Sequence, residues 1–542
     1  MSKILRGTLL ITGANYLSKI LGILYVIPFE ALVGGTAFSL FSFAYTPYTI
    51  LISISTMGIP LAMSKFVSKY NTLGDYQTGR RMFRLAIKVM MITGILAFLL
   101  LFFSSEFIAK IAISGEGTNF PYSVDQVSFV IKMVSFALLI IPAMSIVRGF
   151  FQGYGSMGPS AVSTVMEQIV RIIFLLGSVF LLLKVFDGTI TNAIGMATFA
   201  TFVGALGSLF VLGYFWKVRK PYLDQQLHTQ KVKTRHFDSK QMFKELISYA
   251  GPFVLVGLAT PVYQLIDQLT FPRAMSAIGM GEDHVGLAYS VIVILGHKLV
   301  IIPVTLATGL SLALLPVITS SFTAQKRDLY IQQINQALQI IMLIIIPAGV
   351  GLSILGYEAY GTFYGIDKYS EFTGQLLSWY APVSLFFGLF TVSASILQGI
   401  NRQNFALISL SVGVGIKLVL NMPFIFLFEA KGAIFATGLA VLTASFLNVW
   451  KIKRTTEMPF KALYKRTLLI LIFTAVMALV VLLIKWLLSS FIFMEDNRFS
   501  SIMITFISAG IGGYLYLWLC FKSTLLERVL GSRANKLKRI FI

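Results

Sequence analysis

A single cysteine, Cys520, occurs among 542 residues, which excludes an internal disulfide and a cysteine metal cluster. Histidine is almost as scarce. Its four copies match no ligand spacing: His228 and His236 fall in a basic stretch, while His284 and His297 stand apart. Charged residues make up only 12% of the chain against 56% hydrophobic, which excludes an ordinary soluble globule. Acidic residues number 22 against 44 basic ones, giving a net charge of +22. That surplus does not point to nucleic acid, because the basic residues sit in alternate polar segments.

What is abundant is the long apolar run. Stretches such as 85–103, 172–185, 340–355 and 467–488 approach the roughly 20 residues that cross a bilayer, where a helix satisfies its own backbone. The pattern predicts an all-α polytopic membrane protein with about 14 transmembrane helices. They lie near 8–28, 37–62, 84–104, 128–152, 160–184, 190–216, 246–270, 286–316, 332–356, 376–399, 404–428, 432–452, 466–488 and 500–521. Basic residues precede the first span (Lys3, Arg6), separate spans 2 and 3 (Lys65, Lys69, Arg80, Arg81, Arg84), and crowd 217–244 and 451–466 and the tail. The intervening connections carry acids such as Glu106, Glu282 and Glu358. Positive loops mark the cytoplasmic side, so both ends are expected there. Lys19 interrupts the first apolar stretch, and no small-residue cleavage site followed by a soluble domain is present, so this stretch reads as the first span.

The chain reads as doubled. Gln152-Gly153 precedes Arg171 by the same nineteen-residue interval that separates Gln398-Gly399 from Lys417, an offset of 246. Pro47, Pro60 and Phe66 match Pro303, Pro316 and Phe322 at an offset of 256. Tandem repeats of several helices are a transporter signature. The division expected is an N-lobe of six helices over 1–216, a basic cytoplasmic linker over 217–245, a C-lobe of six over 246–454, and two appended helices with a basic tail over 455–542. An even number of helices per repeat gives both copies one orientation, with a cavity expected between the lobes.

Charges inside spans are costly and therefore candidate functional groups. Lys19 lies mid-span in the first helix and Lys298 in the eighth, five residues before Pro303. Glu167 and Arg171 stand four apart, the spacing of an intrahelical ion pair. Arg148, at the cytoplasmic end of the fourth span, is expected to snorkel or bind head groups. Lys417, the repeat mate of Arg171, has no acid four residues either side, which leaves an uncompensated cation and favours anion binding. Asp267 is the clearest deep acid, open to receiving Na⁺ or a proton or to pairing with a lysine. Pro47, Pro60, Pro303 and Pro316 are expected to kink spans 2 and 8 and mark them as gates.

The segments "RGFFQGYGSMGPSAVSTVMEQIVRI" and "LQGINRQNFALISLSVGVGIKLVLN", in a six-plus-six-plus-two plan, resemble the multidrug/oligosaccharidyl-lipid/polysaccharide exporter superfamily. Within it, the chain is most similar to the polysaccharide biosynthesis branch that holds stage V sporulation protein B types and Gram-positive lipid II flippases of the MurJ class. The resemblance covers nearly the whole chain. It implies alternating access that turns undecaprenyl-pyrophosphate-linked peptidoglycan precursor (lipid II) from inner to outer leaflet for cell wall synthesis. It further implies a cationic cavity for the pyrophosphate and a groove with helices 13 and 14 for the lipid tail. "SKILG" resembles the family's Ser-Arg-x-Leu-Gly segment, so Lys19 inherits its cation, and Lys298 matches the helix 8 arginine. Tyr25, and Leu51 or Ile52, stand where Gram-negative members carry further arginines, which suggests that Arg171 and Lys417 supply the missing charge.

The expected substrate-binding set is thus Lys19, Lys298, Arg171, Lys417, Glu167 and Gln152, with Asp267 the ion-coupling candidate. No cofactor is expected; Na⁺, H⁺ or the membrane potential are the candidate driving forces. The partners expected are lipid II or another undecaprenyl-pyrophosphate-linked glycan and the phospholipid bilayer, with no nucleic acid and a monomer as the working unit. Two alternatives remain within transport: a flippase for another polyprenyl-linked oligosaccharide, of a polysaccharide or of the spore cortex, and a cation-coupled multidrug antiporter, against which the basic bias counts. A membrane glycosyl or acyl transferase would need clustered acids or a catalytic histidine facing one leaflet, and neither is present.

Overall fold

The computed structural model of the protein describes residues 3–35, 37–56, 59–113, 120–230, 258–492 and 497–530. Every regular element among these residues is helical, and thirteen helical runs are long and apolar enough to cross a bilayer. Residue contacts divide the chain into two compact units, Met1–Arg273 and Ala274–Ile542.

The first unit holds α1 (Lys3–Leu24), α2 (Val26–Val33), α3 (Ala37–Thr56), α4 (Ile59–Thr72), α5 (Tyr76–Ile113), α6 (Val124–Ser135), α7 (Ile141–Gly153), α8 (Gly158–Phe180), α9 (Ile190–His228) and most of α10 (Ala259–Ala277). Of the helix expected over 37–62, the described residues form α3 up to Thr56 and α4 from Ile59. α6 and α7 share one span but are broken by a 3₁₀ turn at Phe136–Leu139, with Pro142 in the first turn of α7 where its missing N–H costs nothing. α5 and α9 have 38 and 39 residues, so at 1.5 Å per residue each is roughly 57 Å long and outreaches a hydrocarbon core of ~30 Å. The expected linker therefore begins as helix: α9 runs on to His228, and Arg219 and Asp224 on it bond to Ser156 and Arg80. The rest of that linker, with the start of the seventh predicted span, lies outside the described residues.

The second unit continues with α11 (Glu282–Ser290), α12 (Gly296–Thr323), α13 (Arg327–Ile354), α14 (Gly356–Tyr364), α15 (Ser370–Tyr380), α16 (Val383–Gly399), α17 (Gln403–Phe428), α18 (Ala430–Thr456), α19 (Lys461–Leu487), α20 (Arg498–Lys522) and α21 (Leu525–Leu530). α12 is continuous through Pro303 and Pro316. The irregularity in this span lies upstream, in a π-turn at Val291–Leu295. Gly296 closes it, since a Cβ there would come within 2.7 Å of the Val291 carbonyl. Tyr364 donates its hydroxyl to the Leu295 carbonyl at 2.9 Å, satisfying a group at the point where the helical ladder changes register. The side chains of Pro60 and Pro316 lie outside the described ones.

Helices in lipid gain little from apolar burial against one another, so close approach at small residues takes over. On α9, a Cβ at Gly204 would meet the Glu167 carbonyl at 2.7 Å and one at Gly207 would meet Val170 at 2.8 Å, so α8 lies tight against it. On α18, Ala433, Ala436, Ala440 and Ala444 form a fully buried stripe of the same kind.

The duplication shows in the helix ends. α7 and α16 both stop at the Gln-Gly pair, through left-handed Gly155 (φ 69°) and Asn401 (φ 57°), which correspond at the offset of 246. The closing bonds correspond too: Ser156 N donates to Phe151 O at 3.0 Å and Arg402 N to Leu397 O at 2.7 Å. The second set of landmarks does not fare as well. The turns closing α4 and α12, at left-handed Gly74 and Gln325, are 251 residues apart rather than 256, because eight residues separate Phe66 from its turn and only three separate Phe322.

Candidate functional site

A polar stripe runs along α8, with Ser160, Ser163, Glu167 and Arg171 recurring at three- and four-residue spacing on one face. The ion pair expected within it is not the one formed. Glu167 accepts from Arg148 of α7, Nη2 to Oε2 at 2.6 Å. Arg148 also donates from Nε to Ser163 Oγ at 2.9 Å and from Nη2 to Ser208 Oγ of α9 at 2.7 Å. Arg148 thus turns inward and joins three helices instead of snorkelling to head groups. The side chains of Arg148 and Glu167 are 19% and 24% exposed, so the pair is largely withdrawn from solvent.

Among the described residues Arg171 makes no ion pair of its own. Its guanidinium lies over the Tyr25 ring, 5.6 Å from the centroid, and its Nε is buried with no hydrogen-bond partner. Tyr45 and Tyr48 of α3 and Glu167 lie within its electrostatic reach. Tyr45 is itself fixed to Thr201 of α9, hydroxyl to hydroxyl, at 2.8 Å. An arginine fork held by stacking, with donors unspent, is suited to receive a phosphate or carboxylate from outside the lobe's own side chains. The same arrangement brings Arg171 to Tyr25, the helix 1 position that lacks an arginine.

Lys19 is exposed on α1. One turn further on, Gly22 lies against α8, where a Cβ would sit 3.3 Å from Gln168 Nε2, itself buried without a partner. Gln152 is half-buried at the end of α7, and the glycine after it is a packing residue: a Cβ at Gly153 would come within 2.5 Å of Val67 and 2.8 Å of the Ser64 carbonyl on α4. Asp267 is 3% exposed on α10. Among the described residues, no group of three or more His, Cys, Asp or Glu is placed to hold a metal ion.

In the second unit Lys298 is half-buried one residue after His297, whose Nδ1 is 2.7 Å from the Tyr380 hydroxyl. Lys417 is hydrogen-bonded within its own unit, to uncharged acceptors. It is fully buried, and its Nζ donates to the Ala433 carbonyl at 2.9 Å and to Thr437 Oγ1 at 2.6 Å on α18. The repeat mates Arg171 and Lys417 therefore differ in kind, one lying over an aromatic ring and the other bound to a helix backbone.

Two polar contacts escaped sequence reasoning altogether. Lys485 of α19 donates to Glu358 Oε2 at 2.9 Å and to the Ile354 carbonyl at 3.0 Å, tying the thirteenth predicted span to the ninth. Gln268 of α10 reaches a carbonyl of α3. A sequence separation of 127 between Lys485 and Glu358 leaves no local signal for the first. For Arg148 and Glu167, the polar period of α8 was a usable sign.

Residues 4–322 match the family described as polysaccharide biosynthesis protein, and residues 290–423 match MatE. The chain is 46% identical to "Lipid II flippase MurJ" of Bacillus subtilis (strain 168) over 536 residues, 98% of this chain and 97% of that one. It is 22% identical over 448 residues to "Stage V sporulation protein B" of the same organism, covering 82% of this chain and 81% of that one. Among solved structures, "Lipid II flippase MurJ, inward closed conformation" shares the fold with a TM-score of 0.66 at 16% identity, over 96% of this chain and 99% of that one.

Proposed function

The chain belongs to the polysaccharide biosynthesis protein family, and from that premise we propose that it is a lipid II flippase, a transporter rather than an enzyme. It carries the undecaprenyl-pyrophosphate-linked peptidoglycan precursor from the inner to the outer leaflet of a bacterial cell membrane by alternating access. The observation that carries this reading is identity of 46% spread over 98% of the chain.

The site residues give the reading a physical form. A pyrophosphate is a dianion or more at neutral pH, and a cation inside a span is costly until such a partner arrives. Lys19 and Lys298 receive it as point charges, and Arg171, with its Nε unspent, as a fork. Lys417 serves once its bonds to Ala433 and Thr437 are exchanged. Gln152 and Glu167 complete the proposed set, and Asp267 is the coupling acid for Na⁺ or H⁺, with the membrane potential as the other driving force. The working unit in this reading is a monomer, and the alternate basic segments favour both ends on the cytoplasmic side.

The test is delivery of lipid II to the outer leaflet in cells depleted of their own flippase, with this chain as the sole candidate and Lys298→Ala as control. Rescue by the parent chain alone is expected. Failure of a well-inserted parent overturns the lipid II reading in favour of another polyprenyl-linked glycan.

A further inference from the structure

Pro47 lies inside α3 and has no N–H, so the helical bond to the Phe43 carbonyl four residues earlier is not made from that position. A donor comes instead from α10: Gln268 gives Nε2 to Phe43 O at 3.1 Å, in a buried bond. Three hydroxyls around this turn, of Ser42, Thr46 and Thr49, bond back to carbonyls of α3 at 2.7, 3.1 and 2.8 Å, a pattern that bends helices.

Gln268 is fully buried, yet its Oε1 has no partner. A buried amide serving only to hold structure is ordinarily satisfied at both ends. This one hangs on a single bond, so releasing α3 breaks nothing else at the amide. Beside the proline is an open apolar pocket of about 280 Å³, lined by Pro47, Ile50 and Leu51 of α3, Leu101 of α5, and Leu265 and Leu269 of α10. Space of this size against a proline, and one turn from the amide that secures it, gives the apolar face of α3 somewhere to go.

We infer that Pro47 is a working hinge of α3 and that Gln268 is its positioning residue, holding one bend through a releasable bond while the adjacent cavity receives α3 in the other. This rests on the reading of the chain as a transporter that alternates between states. The proline was a sequence-level gate candidate; its latch and its free space are features of the folded chain.

Three measurements test it, two of them independent of substrate. In a thermal-stability cycle, Gln268→Met lowers Tm in the parent but by less than half as much in a Pro47→Ala background, where residue 47 regains an N–H for Phe43. Equal drops in both backgrounds overturn the latch. Spin labels at Leu40 and Ile54, either side of Pro47 in a Cys520→Ser chain, are expected to give two distance populations in the parent and a changed ratio in Gln268→Met. One population in the parent, or an unmoved ratio, overturns the hinge. Cavity fillers Ile50→Phe and Leu265→Phe are expected to keep or raise Tm, as filled voids do, while slowing lipid II flipping several-fold. Fillers that leave the rate unchanged, or that lower Tm because the space was not spare, overturn the role of the cavity. If the parent moves no lipid II, the proposed function fails alone, and the stability cycle and label distances still decide the hinge.

Discussion

The Arg148–Glu167 pair sets up a test in which the order of three variants matters more than any single value. Glu167→Ala removes the acid that Arg148 pairs with among the described residues and leaves two arginines, Arg148 and Arg171, on facing and adjacent turns of one lobe. Breaking a buried pair from one side costs ~3–5 kcal/mol. With side chains 19% and 24% exposed and two serine hydroxyls still accepting from Arg148, the lower end applies, about 3 kcal/mol. Arg148→Ala is milder, about 1–2 kcal/mol, because Glu167 can re-pair with Arg171 one turn along its own helix. The double variant Arg148→Ala/Glu167→Ala should fall well short of additivity, with a coupling of ~2 kcal/mol. Equilibrium unfolding of the purified protein in mixed detergent micelles, with a Glu167→Ala/Arg171→Ala cycle alongside, reads all of these. A larger coupling of Glu167 to Arg171 than to Arg148, or Arg148→Ala proving the costlier single change, refutes the reasoning.

Lys19→Ala and Lys298→Ala are expected to lose lipid II delivery while inserting normally, since removing a cation from a span relieves an insertion cost; growth on either variant as sole copy would remove that lysine from the substrate set. Lys417→Met should retain the fold, because a fully buried lysine held by a carbonyl and a hydroxyl is replaced by an apolar chain of similar length. It should reduce transport if Lys417 meets the pyrophosphate in another state, and an unchanged rate would assign the lysine to packing alone. Gly153→Ala should destabilise by ~1–3 kcal/mol through overpacking against α4, read as a fall in Tm, and a neutral result would show that α4 and α7 separate freely.

Membrane class, span number and the Gln-Gly register of the repeat were legible in the chain, because each depends on one-dimensional quantities: apolar length against bilayer thickness, and recurrence at a fixed offset. The structure adds that the repeated Gln-Gly is a helix stop, completed three residues on by Gly155 and Asn401 in the left-handed region. Its glycine is needed in the first copy for contact with α4. Helix interruptions were less legible. Pro142 and Pro47 were visible, but whether a proline ends a helix or only frees a carbonyl depends on what packs beside it, and the π-turn at Val291–Leu295 has no sequence rule of its own.

Partner choice among charges was read wrongly where spacing was the sole guide. Glu167 and Arg171 satisfy the four-residue rule, yet an exposed pair of that kind is worth only ~0.3–0.5 kcal/mol, and Arg148, fixed by Ser163 and Ser208, outcompetes it. Composition and periodicity decided that this chain crosses a membrane many times, in two related halves, with cations where lipid would forbid them. Only the tertiary structure decided which of those cations are already spoken for. Arg148 and Lys417 are, whereas Arg171 lies over Tyr25 with its Nε unspent. The reason is that hydrogen-bond partners in a helical bundle come from neighbouring helices tens or hundreds of residues away, and no local pattern encodes who the neighbours are.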